Sequence, residues 1–192
     1  MSSAKLAVGY QGIAYSNNHQ AAQVLCHRAG LQHARLVPLI TSANVAHALQ
    51  NRDIDLGVMA ISNSIGGEVA ETKAALQQVK LHGIQTVELP IHHYAFKREG
   101  AIQNNQIKYV ASHPQALKQC LHSIERIFPE ADLQSVENTA LAAQSLAQGK
   151  FNDHTAVICT LLAGEHYNLA LVAADMEDSP DNRTVFGLYQ LA

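Results

Sequence analysis

Basic residues are in short supply: 13 Lys+Arg stand against 16 Asp+Glu in 192 residues, a formal charge of -3 with a pI near 6.4. Nonspecific nucleic-acid binding works by displacing phosphate counterions with Lys and Arg, and no basic stripe is present, so that class of function is excluded. Long apolar runs are also missing. No window approaches the ~20 apolar residues of a membrane span, and the amino terminus MSSAKLAVGYQG passes from one lysine straight into a glycine turn, with no signal-peptide core. Cysteine is scarce and odd in number. Cys26, Cys120 and Cys159 lie far apart in apolar or helical surroundings, which suits buried, reduced thiols in a cytoplasmic protein. With 47% hydrophobic and only 15% charged residues, the chain builds a sizeable core, and disorder and fibrous repeats are excluded.

What is present is alternation of strand and helix. Residues 4 to 10 read as a buried strand ending at Gly12, followed by a helix from Ser16 to Ala29 that Ser16 caps and Gly30 stops. The run 31–40 leads into a helix from Ser42 to Gln50, and 54–61 leads through the loop SNSIGG into a helix ending near Gly83. Such alternation predicts parallel sheets with crossover helices. From Ile84 the run IQTVELPIHHYAFK gives two strands broken only by Pro90, with no room for a crossover helix, which marks passage into a second lobe. There 107–113 leads into a helix opened by Pro114, and 133–137 into a helix from Thr139 to Gln148 closed by Gly149. The run 155–160 precedes a short helix; 169–176 and 184–191 are strands, and 98–106 is a surface hairpin or loop. The predicted fold class is α/β with two lobes: residues 1–88 plus 170–192, and residues 89–169, each a mostly parallel sheet flanked by helices, with a ligand cleft between them.

Several chemistries lack their motifs. Eleven histidines form no HExxH or CxxC set, and adjacent His92 and His93 face opposite sides of a strand. Cys120 and His122, two apart on a helix, diverge in direction. Gly9 and Gly12 are not spaced as GxGxxG, and neither GxSxG nor a P-loop lysine motif occurs. Neither a metal nor a nicotinamide dinucleotide is therefore expected. The strongest positive feature is SHPQALKQC, Ser112 to Cys120, at a strand-to-helix junction. A helix whose first turn is Pro114-Gln115-Ala116 points free backbone N–H groups outward as a seat for a substrate carboxylate, although taken alone the favoured account is that Ser112 merely caps the helix. The loop 60–69 offers Asn63 and Ser64 at a strand end, with Gly66-Gly67 permitting a tight turn beside a ligand. A third feature is Asn182-Arg183-Thr184-Val185-Phe186, which sets a hydroxyl in an otherwise apolar strand.

Taken in order, these motifs resemble the catalytic domain of prephenate dehydratase. The residues that carry the resemblance are YQG (10–12) with Tyr15-Ser16 and Ala21-Ala22, Asn63-Ser64 with Gly66, LPI (89–91), the whole SHPQALKQC, Asn138-Thr139-Ala140 with Ala142-Ala143, TAVI (155–158) and N-x-T-x-F (182–186). The resemblance implies a fold like the type II periplasmic binding proteins, a cleft for prephenate or its amino analogue arogenate, no cofactor, no membrane or nucleic-acid partner, and a homodimer. By position, Thr184 would bond the leaving hydroxyl; Asn63, Ser64 and Gln115 would orient the substrate, with Gly66 beside it; Ser112 and the helix start would hold a carboxylate, and His113 stands next to them. Two positions depart from the family pattern: Ser62 replaces the Glu of Glu-Asn-Ser, and Val185 replaces the Arg of Thr-Arg-Phe, with Arg183 standing before Thr184 instead of after it. A regulatory ACT domain would follow Ala192 in the family and is not expected here. The implied activity is dehydration and decarboxylation of prephenate to phenylpyruvate. The alternatives are a non-aromatising prephenate decarboxylase, in which weak assistance to the leaving hydroxyl is an asset, and an inactive protein that binds aromatic precursors.

Overall fold

The computed structural model describes residues 5–100 and 102–192. Two compact units form: one runs to Ile91 and resumes at Asp181–Ala192, the other is His92–Pro180.

The first unit contains, in chain order, β1 (Ala7–Tyr10), α1 (Asn17–Arg28), β2 (Arg35–Pro38), α2 (Ser42–Gln50), β3 (Leu56–Asn63), the short β4 (Gly67–Glu68), α3 (Ala70–Gln78) and β5 (Leu81–Pro90). Local chemistry sets the helix starts. Ser16 accepts the His19 N–H and Thr41 accepts the Asn44 N–H, each satisfying a first-turn donor, which is worth about 1 kcal/mol per cap. Beyond Arg28, Gly30 takes a left-handed φ of 71° and turns the chain. The last strand of the chain, Arg183–Leu191, inserts between β3 and β5, giving the order β2-β1-β3-Arg183–Leu191-β5 with β4 on the side of β3.

The second unit holds β6 (Tyr94–Lys97), β7 (Tyr109–Ser112), α4 (Pro114–Gln119), α5 (Leu121–Ile127), β8 (Asp132–Ser135), α6 (Thr139–Ala147), β9 (Thr155–Cys159), α7 (Leu161–His166) and β10 (Ala170–Ala173), so that the returning strand Arg183–Leu191 is β11. Its sheet runs β10-β6-β9-β7-β8. The loop after β6 contains a single 3-10 turn at Asn104–Gln106. Each unit has its own apolar core: Tyr10, Leu25, Val58, Phe186 and Leu188 in the first, Val110, Ile124, Ile158 and Met176 in the second. Cys26, Cys120 and Cys159 are all buried and unpaired.

The structure corrects the sequence reading at four places. Both sheets are mixed rather than mostly parallel: β1 runs parallel to β2 and β3 while β11 is antiparallel to β3 and β5, and β7 is parallel to β8 and β9 while β6 is antiparallel to β9 and β10. Alternating strand and helix sets direction only where a crossover helix joins sheet neighbours, and β5, β6, β10 and β11 are not so joined to theirs. Second, α3 ends at Gln78, because β11 needs a partner along its length and takes it from Leu81 onward, with Gly83 opposite Tyr189. Third, residues 170–180 belong to the second unit, since β10 pairs with β6 through Ala170↔Lys97 and Leu171↔Phe96. Fourth, the helix after Pro114 is two helices broken at Cys120, where the Asp178 carboxylate accepts the N–H groups of His122 and Ser123 and so caps the second one. Ala4, included in the predicted first strand, lies outside the described residues.

Candidate active site

The first unit's site is built where β3 and β11 meet. The ladder pairs Thr184 with Asn63, Val185 with Ser62 and Phe186 with Ala60, which leaves Ile61 as an extra residue in β3. This β-bulge reverses the facing of everything beyond it. Residues opposite each other on a ladder share a face, and along β11 Thr184, Phe186 and Leu188 alternate onto one side. Phe186 and Leu188 pack in one cluster with Tyr10 and with Ala21, Ala22 and Leu25 of α1, so Asn63 and Thr184 lie on the α1 face of the sheet. Without the bulge Asn63 would point away from Thr184's side.

Asn63 is the hub. Its Oδ1 accepts the N–H groups of Ile65 (3.0 Å) and Gly66 (2.8 Å), closing the turn that Gly67 permits with φ 74°. This fixes which end of the amide is which, so Nδ2 points at three acceptors: Asn182 Oδ1 at 2.8 Å, the Arg183 carbonyl at 3.0 Å and Thr184 Oγ1 at 2.9 Å. An amide nitrogen only donates. Thr184 Oγ1 therefore accepts, and its own proton meets no acceptor among the described residues, although the side chain is mostly buried. Ser64 latches the two segments: its hydroxyl donates to the Asp181 carbonyl (2.7 Å) and accepts the Arg183 N–H (2.9 Å).

The two departures from the family pattern prove to be one. Ser62 and Val185 are direct cross-strand partners, so the Glu and the Arg of the family pattern would face each other across this ladder, and both are gone together. Arg183 does not substitute; its guanidinium lies 4.0 Å from Glu88 on the exposed surface.

A second group stands at the end of β1. Gly12 adopts φ 86° and Tyr15 φ 67°, and these turns bring the chain back into α1. The Tyr15 N–H donates to His19 Nδ1 at 2.9 Å, so a neutral His19 carries its proton on Nε2. The Tyr10 ring stacks on the imidazole with centroids 5.2 Å apart, and Tyr15 meets it edge-on. Burial lowers the His19 pKa and pushes the Tyr10 phenol up to about 12, the nearby Tyr15 adding to the latter. Beside them Gln11 is held rigid: its Oε1 accepts the Ala60 N–H (3.2 Å) and its Nε2 donates to Glu71 (2.8 Å), whose other oxygen accepts the Ser42 N–H (2.8 Å) at the start of α2.

In the second unit, Ser112, His113 and Gln115 fall at the β7–α4 junction. Ser112 is fully buried and donates to the Ile158 carbonyl at 2.6 Å, so its hydroxyl ties β7 to β9 and neither caps the helix nor faces a ligand. The cap is His113, whose Nδ1 accepts the Gln115 N–H at 3.2 Å; burial lowers its pKa, which keeps the ring neutral. One of the N–H groups of the expected carboxylate seat is thereby occupied from within. The Gln115 side chain is exposed.

Two residues of consequence escaped the sequence reading. Asn182, read only as part of a motif, is almost wholly buried and anchors the Asn63 amide. His19 stood as one of eleven histidines; its position three residues after the helix cap Ser16 was the available signal.

Two α/β units with mixed sheets, the chain returning at its end to complete the first sheet, make up the fold. A nutrient binding protein from Burkholderia cenocepacia bound to methionine shares it, with a TM-score of 0.51 and 12% identity over 95% of this chain and 84% of that one. The chain belongs to the prephenate dehydratase family, whose model matches residues 8–190. A prephenate dehydratase from Arthrobacter aurescens, solved in complex with L-Phe, superposes with a TM-score of 0.85 at 25% identity, covering 97% of this chain and 60% of that one. Arogenate dehydratase 5, chloroplastic, of Arabidopsis thaliana is 29% identical over 94% of this chain and 41% of its own length. The chain thus spans about two fifths of the length of the curated relatives it matches. No helix among the described residues is long and apolar enough to cross a membrane.

Proposed function

We propose that the protein is a lyase that converts prephenate to phenylpyruvate, carbon dioxide and water. The bond from the ring to its carboxylate breaks and leaves its electron pair in the ring; the pair moves through the diene, expels the ring hydroxyl and leaves an aromatic ring. The substrate is its own electron sink, so the protein needs only to anchor it, keep the ring carboxylate poorly solvated and donate a hydrogen bond to the departing hydroxide. The observation that carries this reading is the Thr184 hydroxyl: it accepts from Asn63 and keeps its proton uncommitted in a mostly buried place. Accepting one hydrogen bond polarises a hydroxyl into a better donor, and a donor aimed at developing charge is worth about 3 kcal/mol. Asn63 sets the Thr184 oxygen, and Ser64 and Gly66 hold the turn that sets Asn63. Ser112 serves by positioning β7.

Arogenate, named for the plant relatives, is the sister substrate; it differs by an amine in place of the side-chain keto group. The Ser62–Val185 pair favours a second reading. Without the family's Glu and Arg at these two positions, loss of hydroxide is poorly assisted, and a decarboxylase that keeps the hydroxyl and protonates the ring fits the same site. Three buried, unpaired thiols suit a reducing compartment such as the cytoplasm, and a homodimer follows the family resemblance.

Product identification tests the reading. Purified protein given prephenate should yield ultraviolet-absorbing phenylpyruvate. A decarboxylated, non-aromatic keto acid selects the second reading; saturable binding with neither prephenate nor arogenate consumed refutes both and leaves a binding protein.

A further inference from the structure

Within the second unit, His92 and the segment 175–177 come together. The backbone joins them first: the Met176 N–H donates to the His93 carbonyl at 2.9 Å, and the Met176 side chain is fully buried in the core. With residue 176 anchored inward, residues 175 and 177 stand on either side of it. One ligand atom each from His92, Asp175 and Glu177 lies within 4.8 Å of the other two, and His92 Nδ1 is 2.7 Å from Glu177 Oε1.

We infer that His92, Asp175 and Glu177 form a binding site for a divalent transition-metal cation of the zinc class. The site owes nothing to the dehydratase reading. Its donor set, one imidazole nitrogen and two carboxylates, suits zinc and its neighbours, whereas calcium and magnesium take oxygen alone. Zinc bonds of about 2.0–2.2 Å place neighbouring ligand atoms roughly 3–3.5 Å apart, so binding needs the close pair to open and the wide pair to close by on the order of 1 Å.

The structure around the donors supports the same inference independently. Glu177 is nearly buried, its side chain 6% exposed, and its second oxygen accepts the His93 N–H at 2.8 Å. That outer contact fixes the carboxylate and turns Oε1 toward His92, as second-shell groups do for metal ligands. A buried carboxylate calls for a positive partner, yet among the described residues no Lys or Arg forms an ion pair with Glu177 or Asp175. A cation would remove this imbalance. It would also pin the segment where the chain enters the second unit, at His92, to the one just before it leaves, at Pro180.

Calorimetric titration with Zn2+, after chelator treatment and buffer exchange of the full chain, decides the matter. Wild type should take up one equivalent with a Kd on the order of micromolar, and saturating Zn2+ should raise its Tm by several degrees. His92→Ala and Asp175→Asn, both at exposed positions, should each weaken binding by tenfold or more and abolish the Tm rise, with Glu177→Gln behaving alike if it folds. Absence of Zn2+ binding below about 100 μM in wild type overturns the inference, as does unchanged binding in both exposed variants, which would place the metal on other histidines.

Discussion

Asn63 Nδ2 donates to Thr184 Oγ1 at 2.9 Å, joining residues 121 positions apart in the sequence. The contact exists because a bulge at Ile61 rotates the end of β3 onto the face that Thr184 already occupies. Its consequence is chemical: the hydroxyl is oriented as an acceptor toward the protein and therefore as a donor toward whatever lies beyond.

Thr184→Val keeps the shape and removes the donor. It should lower turnover of prephenate about a hundredfold, the loss expected for one well-placed donor. Thr184→Ser should retain most of the rate. Steady-state kinetics on both variants check this, and unchanged turnover in the valine variant would remove Thr184 from the mechanism.

Asn63→Ala should cost stability as well as activity, because it strips Asn182, Thr184 and the 64–66 turn of their common partner. Leaving buried polar groups unpaired costs about 1–3 kcal/mol each. Urea denaturation should show a loss of at least 2 kcal/mol for Asn63→Ala and under about 1 kcal/mol for Thr184→Ser.

Ser62 and Val185 form one cross-strand pair, so their replacements should act together. Val185→Arg alone gains a neighbour in Glu88, which lies opposite it on β5, and should fold normally. The double variant Ser62→Glu with Val185→Arg should raise phenylpyruvate formation tenfold or more, and beyond the product of the single effects. Additive effects would mean that the two positions act independently of each other.

Burial lowers the pKa values of His19, His93 and His113 below the ordinary histidine value near 6.5. Each of these residues then binds a proton more readily when unfolded, so stability rises with pH across the window between the lowered values and 6.5. The contribution is complete above about pH 6.5 and is lost as pH falls through that window. Denaturation midpoints measured from pH 5 to 8 should climb on this limb, and His19→Gln should flatten it.

Much of this protein was legible before any fold was seen. The starts of α1 and α4, set by Ser16 and Pro114, and the left-handed turns at Gly30 and Gly149 follow from local backbone chemistry, which a short stretch of sequence contains in full. So do the thiols' apolar surroundings and the candidate polar clusters at 63–66 and 182–186. Tertiary structure alone decided strand direction, the assignment of β10 to the second unit, the inward turn of Ser112 and the meeting of Asn63 with Thr184. Those depend on which strands become neighbours and in what register, and a single unpaired residue at position 61 changes the face of each side chain after it.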